Sequence, residues 1–209
     1  MIDHEPKWLC VFLIDVSASM GEESLMKLNK ELDDFYRLIK RDDTSRKRFE
    51  LCITTFGQGI HTLQKPSLVD SFTMPILDAE NIEVLVNAVN DVVERIKLRK
   101  RWYKETNQSY YRPCLVLVTN EANDKLYQSD AFARIREDVS AKEYVFLNIG
   151  MNGSSILARQ GNVLTNLKDK RSLSQMLFPL FQSIRMTIDK SKDDCAGDDS
   201  LWGLVDFEI

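Results

Sequence analysis

Three oxygen-bearing side chains alternate along a short segment near the start of the chain. Asp15, Ser17 and Ser19 form the pattern D-x-S-x-S, which follows an apolar run and precedes Gly21 and a helical pattern. In one interpretation this is an ordinary turn between a strand and a helix, and a serine caps the helix. Side-chain oxygens are also the ligand type that a hard divalent cation such as Mg²⁺ prefers, and Mg²⁺ sheds its waters reluctantly.

Residue types that would support other chemistries are scarce. Only two histidines are present, His4 and His61, and neither is near the two serines in sequence, so no nucleophile with an adjacent base is indicated. The four cysteines form no CxxC pair, and three of them lie in apolar runs, which predicts reduced core thiols and not a zinc site. We therefore expect a protein that is not an enzyme.

Apolar runs alternate with helical patterns along the chain. The strands and helices that they predict determine where the D-x-S-x-S segment lies. Strands are predicted at residues 8–14, 49–56, 60–63, 114–118, 144–149 and 162–167. Helices are predicted at residues 25–39, 84–96, 130–140, 154–160 and 173–188. This alternation predicts a doubly wound, Rossmann-like α/β fold with helices on both faces of a six-stranded, mostly parallel sheet, in which 60–63 is a short antiparallel edge strand. Ligands of such sheets bind beyond the carboxyl ends of the strands, here at the turns after Ile14 and Val118.

Composition and charge narrow the class of protein. The 209 residues are 44% hydrophobic and 29% charged, with a net charge of −4, which is ordinary globular composition and gives no electrostatic case for nucleic acid or anionic membrane. No signal-peptide pattern or membrane-length apolar run occurs, so we expect a cytoplasmic protein without membrane contact. We expect one domain over residues 1–189. Residues 190–209 are expected to form an acidic linker and an apolar C-terminal peptide that either packs on the domain or docks on a partner.

The D-x-S-x-S pattern between a buried strand and a helix resembles the metal-ion-dependent adhesion site (MIDAS) of von Willebrand factor A (VWA) domains, a resemblance that covers about residues 7–189. It implies a module for protein–protein interaction. It also implies that Ser17 and Ser19 ligate Mg²⁺ or Mn²⁺ directly, while Asp15 acts through water. The implied binding face comprises residues 15–21, 79–81 and 120–123, with partner contacts at Gly21, Asn81 and Asn123.

The sequence departs from the other two motifs of that family. The position of the family's threonine is taken by Glu80, or by Asn81 if the alignment shifts by one residue. The family's Thr-Asp-Gly is Thr119-Asn120-Glu121 here, so Asn120 replaces the aspartate. Two interpretations remain open: the site has lost or weakened its metal binding, which the departures favour, or Glu80 or Glu121 supplies the missing anionic oxygen.

A further resemblance concerns the segment Tyr110-Tyr111-Arg112-Pro113 and the long basic connection before it. Both are similar to bacterial VWA proteins of the TerY type, from tellurium-resistance gene clusters. This resemblance implies a stand-alone cytoplasmic domain in a stress-response or conflict system, with kinase or phosphatase components as partners.

Residues 95–112 combine cations with aromatic side chains, and this mixture supports an alternative function. Phosphate contacts and base stacking would allow nucleic-acid binding, with contacts expected from Arg99, Lys100, Arg101 and Trp102. The simpler interpretation is a helix end whose cations complement the helix dipole, followed by a solvated loop. The same run could instead bind an acidic protein surface, including the acidic C-terminal segment of the chain itself. A metal-assisted hydrolase is the remaining alternative.

Overall fold

The computed structural model describes residues 5–78, 85–119 and 130–150. Five strands lie in these ranges: β1 (Trp8–Asp15), β2 (Phe49–Phe56), β3 (Ile60–Leu68), β4 (Cys114–Thr119) and β5 (Val145–Gly150). Four α-helices accompany them: α1 (Glu22–Arg41), α2 (Ser45–Arg48), α3 (Leu85–Glu105) and α4 (Asp130–Ser140). A 3-10 turn (Ala18–Met20) connects β1 to α1.

The strands form one sheet in the order β3-β2-β1-β4-β5. All neighbouring pairs are parallel except β2 and β3, which are antiparallel. The predicted doubly wound α/β architecture, with an antiparallel edge strand, is therefore confirmed. The sixth predicted strand, at 162–167, lies outside the described residues. So do the predicted helices at 154–160 and 173–188 and the expected domain boundary after residue 189.

The sheet separates two hydrophobic cores, and β1 contributes to both. All eight residues of β1 are buried. Cys10, Phe12 and Ile14 face α1, whereas the alternate residues of the strand face α3 and α4. The buried face of α1 packs against this side of the sheet and consists of Leu25, Leu28, Leu32, Phe35, Tyr36 and Ile39. Each such side chain stabilises the fold by about 1.5–3 kcal/mol when fully buried, so the two faces of β1 fix both helical layers.

The edge strand β3 is longer than predicted. It runs to Leu68 instead of ending at residue 63, and its first six residues alternate between half-buried and exposed. The prediction was wrong because the second half of β3 carries polar residues and Pro66, which a central strand would not accept but an edge strand does. Two register shifts against β2 accompany this irregular pairing.

Helix α3 also extends beyond its predicted end. The apolar stripe stops at Ile96, yet the helix continues through the basic run to Glu105. Tyr103 is fully buried in this extension, and Arg99 contacts the buried Glu50 of β2. No helix within the described ranges combines the length and hydrophobicity needed to cross a membrane.

Three of the four cysteines lie in the described residues. Cys10, Cys52 and Cys114 are buried, unpaired thiols in the strands, as predicted. Burial raises the pKa of the Cys52 thiol to about 11, which makes it a poor nucleophile at neutral pH.

Candidate functional site

The segment 15–21 leaves the carboxyl end of β1 at the centre of the sheet. β1 lies between β2 and β4, so the chain's crossovers leave it in opposite directions. Such a reversal opens a crevice above the strand ends, where ligands of open α/β sheets bind. The N–H of Val16 donates to the carbonyl of Phe56 over 2.9 Å and ties the segment to the end of β2.

Asp15 is the innermost residue of the segment and is fully buried. Its Oδ1 accepts a hydrogen bond of 2.9 Å from the backbone N–H of Ser17. Its Oδ2 accepts one of 3.0 Å from the hydroxyl of Thr119, at the end of β4. Sequence reasoning missed Thr119 as a site residue. The available signal was its place at the end of the strand that neighbours β1, where Ile14 pairs with Val118.

The charge of Asp15 has no cationic counterpart in the described ranges. Both of its hydrogen-bond donors are neutral, and no lysine or arginine of the described ranges forms an ion pair with it. A buried carboxylate is costly unless a positive charge or a metal ion compensates it. The position therefore suits a bound cation above the end of β1.

The hydroxyls of Ser17 and Ser19 face each other, with their Oγ atoms 2.8 Å apart. Ser17 is buried and Ser19 is exposed, so the pair extends from Asp15 to the surface. Ser17 precedes the 3-10 turn without capping it through its side chain, and the residue that precedes α1 is Gly21. The interpretation of these serines as caps of α1 is therefore wrong, and hydroxyl oxygens are a ligand type that suits a hard cation.

Gly21 connects the turn to α1 with φ +71° and ψ 150°. This left-handed value of φ favours glycine. A Cβ added at this position would meet nothing within 4 Å, so the backbone angle, and not the space, requires glycine here. Because Gly21 is exposed, its surroundings are open to a partner.

Comparison with solved structures identifies the fold. The chain is similar to a mutant of the PilB minor pilin from Streptococcus sanguinis, with a TM-score of 0.57 and 10% identity over 92% of this chain and 65% of that one. It is also similar to proximal thread matrix protein 1 from the mussel byssus, whose structure has a zinc-occupied MIDAS motif. There the TM-score is 0.50 and the identity 13%, over 86% of this chain and 46% of that one. The chain has the VWA fold.

A third similar structure is the N-terminal domain of TFIIH p34, with a TM-score of 0.50 and 10% identity over 69% of this chain and 81% of that one. The chain spans less than two thirds of the pilin and mussel chains. No family model matches the sequence, and no curated protein matches it. At these identities the likeness concerns the VWA fold alone.

The described residues contain only part of the predicted site. Asp15, Ser17 and Ser19 lie together at the carboxyl end of β1, and Gly21 follows them. The other predicted site residues lie outside the described ranges, namely Glu80, Asn81, Asn120, Glu121 and Asn123. Within those ranges no group of three histidine, cysteine, aspartate or glutamate side chains is placed to hold a metal. Among the described residues, the groups that could hold a cation at this loop are Asp15 and the hydroxyls of Ser17 and Ser19.

The basic run on α3 has a structural role that the sequence did not reveal. Arg99 donates to both carboxylate oxygens of Glu50, over 2.8 and 2.5 Å, and the hydroxyl of Tyr103 donates to the same carboxylate over 2.6 Å. Burial and the neighbouring Glu50 raise the pKa of the Tyr103 hydroxyl, which therefore stays a donor. This network joins the extension of α3 to β2.

Most other cations of the run are also paired. Lys100 contacts the carboxylate of Glu143 and donates to its carbonyl over 3.1 Å. The hydrogen bond from Lys100 lowers the pKa of Glu143. Further pairs join Arg95 to Asp91 and Lys97 to Asp138. Because internal carboxylates neutralise these cations, the structure gives no support to a continuous nucleic-acid interface along α3.

Proposed function

We propose that this chain is a protein-recognition module and that its recognition face is built on the segment 15–21. Support comes from the VWA fold and from the position of that segment at the reversal of strand order. One observation carries the proposal: the fully buried Asp15 has two neutral donors and no cationic partner among the described residues, and a pair of hydroxyls extends from it to the surface.

The donor set fits a hard divalent cation, Mg²⁺ or Mn²⁺, because every available ligand is oxygen. Ser17 and Ser19 would hold the cation through their hydroxyls, and Asp15 would contribute its negative charge. When bound, the cation would offer an open position to a carboxylate of the partner. Thr119 and the N–H of Ser17 hold the Asp15 carboxylate in place, while Gly21 lets the chain turn away into α1.

We infer a binding role and not a catalytic one. Among the described residues, the hydroxyl of Ser17 is hydrogen-bonded to that of Ser19, and neither a histidine nor a carboxylate is placed to take its proton. A serine nucleophile needs such a base. We further infer a cytoplasmic location, which the buried, unpaired thiols favour. The TerY-like resemblance supports, as part of the proposal, a role in a bacterial stress-response or conflict system with kinase or phosphatase partners.

The cation is tested by thermal unfolding in EDTA and in about 10 mM Mg²⁺ or Mn²⁺. A site with a dissociation constant near 0.1 mM would stabilise the fold by about 2.7 kcal/mol, which corresponds to about 5–10 °C for a chain of this length. Ser17→Ala should abolish the shift. Ser71→Ala is the matched control, because this serine lies outside the loop and bonds to the carbonyl of Leu68, and it should keep the shift.

Recognition is tested by comparing proteins retained from a cell lysate by the wild type and by Ser17→Ala, each with cation or EDTA. A partner retained only by the wild type with cation is the expected result. If the cation produced no thermal shift, the proposal that this loop binds a divalent cation would be wrong. Equal retention of the partner by both proteins in the presence of the cation would remove the segment 15–21 from the recognition face.

A further inference from the structure

Two large apolar side chains are exposed side by side on α3, away from the proposed recognition face. Leu98 is 56% exposed and Trp102 is 43% exposed. They are four residues apart and therefore neighbours on the helix surface. Together with Arg101 and Lys104 they are called the Trp102 surface below. Exposed tryptophan and arginine are the residue types most enriched at energetically important interface positions.

The indole of Trp102 is held in place before any ligand arrives. The guanidinium of Arg99 lies 4.0 Å from the centre of the indole ring. Arg99 is itself fixed by two hydrogen bonds to Glu50, whose side chain is only 4% exposed. An anchor already ordered by such contacts loses little side-chain entropy on binding, which makes this surface suitable for a weak or tethered ligand.

The charge around Trp102 favours an acidic ligand. Arg101 and Lys104 are exposed, and neither forms an ion pair within the described residues, whereas the other cations of the run are neutralised by carboxylates. Glu105 is the acidic side chain adjacent to them on the helix. The surface therefore combines two apolar side chains with a net positive charge and fits a segment that is both acidic and apolar.

The C-terminal residues 193–209 of the same chain have that chemistry. Their sequence, DDCAGDDSLWGLVDFEI, carries six carboxylate side chains and no lysine or arginine, and its second half is rich in large apolar residues. We propose that this C-terminal segment docks on the Trp102 surface of the same chain. Tethering raises the effective concentration of the segment to the millimolar range, so modest contacts suffice.

The proposal is tested in the full-length chain with Cys195, which lies inside the segment. Glu105→Cys places a second thiol beside the Trp102 surface and keeps its four side chains, and the control below removes one carboxylate in the same way. Asp34→Cys is the matched control, because Asp34 is also an exposed acidic residue of a helix but lies on α1, across the sheet. Diamide as oxidant then joins Cys195 to the new thiol when their Cα atoms come within about 7 Å. Mass spectrometry of the disulfide-linked peptides identifies the pair.

We expect the disulfide to form within one chain at least about tenfold faster for Glu105→Cys than for Asp34→Cys. Adding Arg101→Glu to Glu105→Cys should slow it by about threefold or more, and Arg101→Lys should not. Thermal unfolding of each variant checks that the fold is kept. Equal rates at the two positions, or no effect of Arg101→Glu, would overturn the proposal. A disulfide between two chains would overturn docking within the same chain.

Discussion

The hydrogen bond from Thr119 to Asp15 allows a quantitative test of the charge at the loop. Thr119→Val keeps the branched shape of the side chain but removes the donor, which lies 3.0 Å from Oδ2 of a fully buried carboxylate. A hydrogen bond to a charged group contributes about 1.5–3 kcal/mol to stability, against about 1 kcal/mol for a neutral pair. For a chain of this length a loss of about 2 kcal/mol lowers Tm by about 4–8 °C.

The assay is urea unfolding in EDTA, so that no cation compensates the carboxylate. Thr54→Val is the matched control, because Thr54 is also a fully buried strand threonine and its hydroxyl makes a neutral contact of 3.4 Å with that of Thr62. It should cost about 1 kcal/mol or less. In the Asp15→Asn background, Thr119→Val should also cost no more than about 1 kcal/mol, because the charge is gone.

Two results would refute this reasoning. Thr119→Val and Thr54→Val could cost the same, which would mean that the hydroxyl does not meet a charge. Alternatively, the cost of Thr119→Val could persist undiminished in the Asp15→Asn background, and the energy would then come from another contact of Thr119.

Two further predictions concern the ionisation of groups away from the loop. The hydrogen bond from Lys100, with smaller contributions from Lys104 and Lys97, lowers the pKa of Glu143 below its ordinary value of 4.5. Its stabilising contribution is therefore fully present above pH 4.5 and is lost as the pH falls through the lowered pKa. Unfolding measured between pH 6 and pH 3 should show a smaller acid loss in Lys100→Met than in the wild type, and parallel curves would contradict this. The second prediction concerns Cys52, whose pKa of about 11 against an ordinary 9.0 leaves about 100-fold less thiolate at pH 8 than in the unfolded chain. Iodoacetamide labelling of its peptide should be slower by at least that factor in the native protein, and labelling at the rate seen in urea would exclude the buried thiol.

The parts of the fold that depend on hydrophobic pattern were predictable from the sequence. β1 was predicted within one residue because its eight residues are buried on both faces and leave an uninterrupted apolar run. The edge strand β3 was cut short because only its inner face packs, so polar residues and Pro66 interrupt the pattern. An apolar pattern marks a strand only where its side chains are buried. An edge strand is only half-buried, so the pattern ends before the strand does.

The extension of α3 was missed for a different reason. Beyond Ile96 the helix is attached to the sheet mainly by charge, through Arg99 and Glu50, which are 49 residues apart in sequence. Glu50 lies inside the apolar strand 49–56, but no local rule identifies the partner that a buried glutamate requires. The same limit applies to Thr119, whose contact with Asp15 spans 104 residues. The sequence motif located the loop, whereas the groups that hold its carboxylate depend on how distant strands pair.

The burial of β1 between two cores has a consequence for how such domains diverge. Each position of this strand must be apolar and of suitable size. Several amino acids satisfy that condition, so packing preserves the apolar character of a position more than the particular amino acid. The segment 15–21 contributes only Val16 and Met20 to the cores, so packing constrains most of its residues less. Architecture and sequence can therefore diverge at different rates, which accounts physically for a chain that shares its fold with proteins at 10–13% identity.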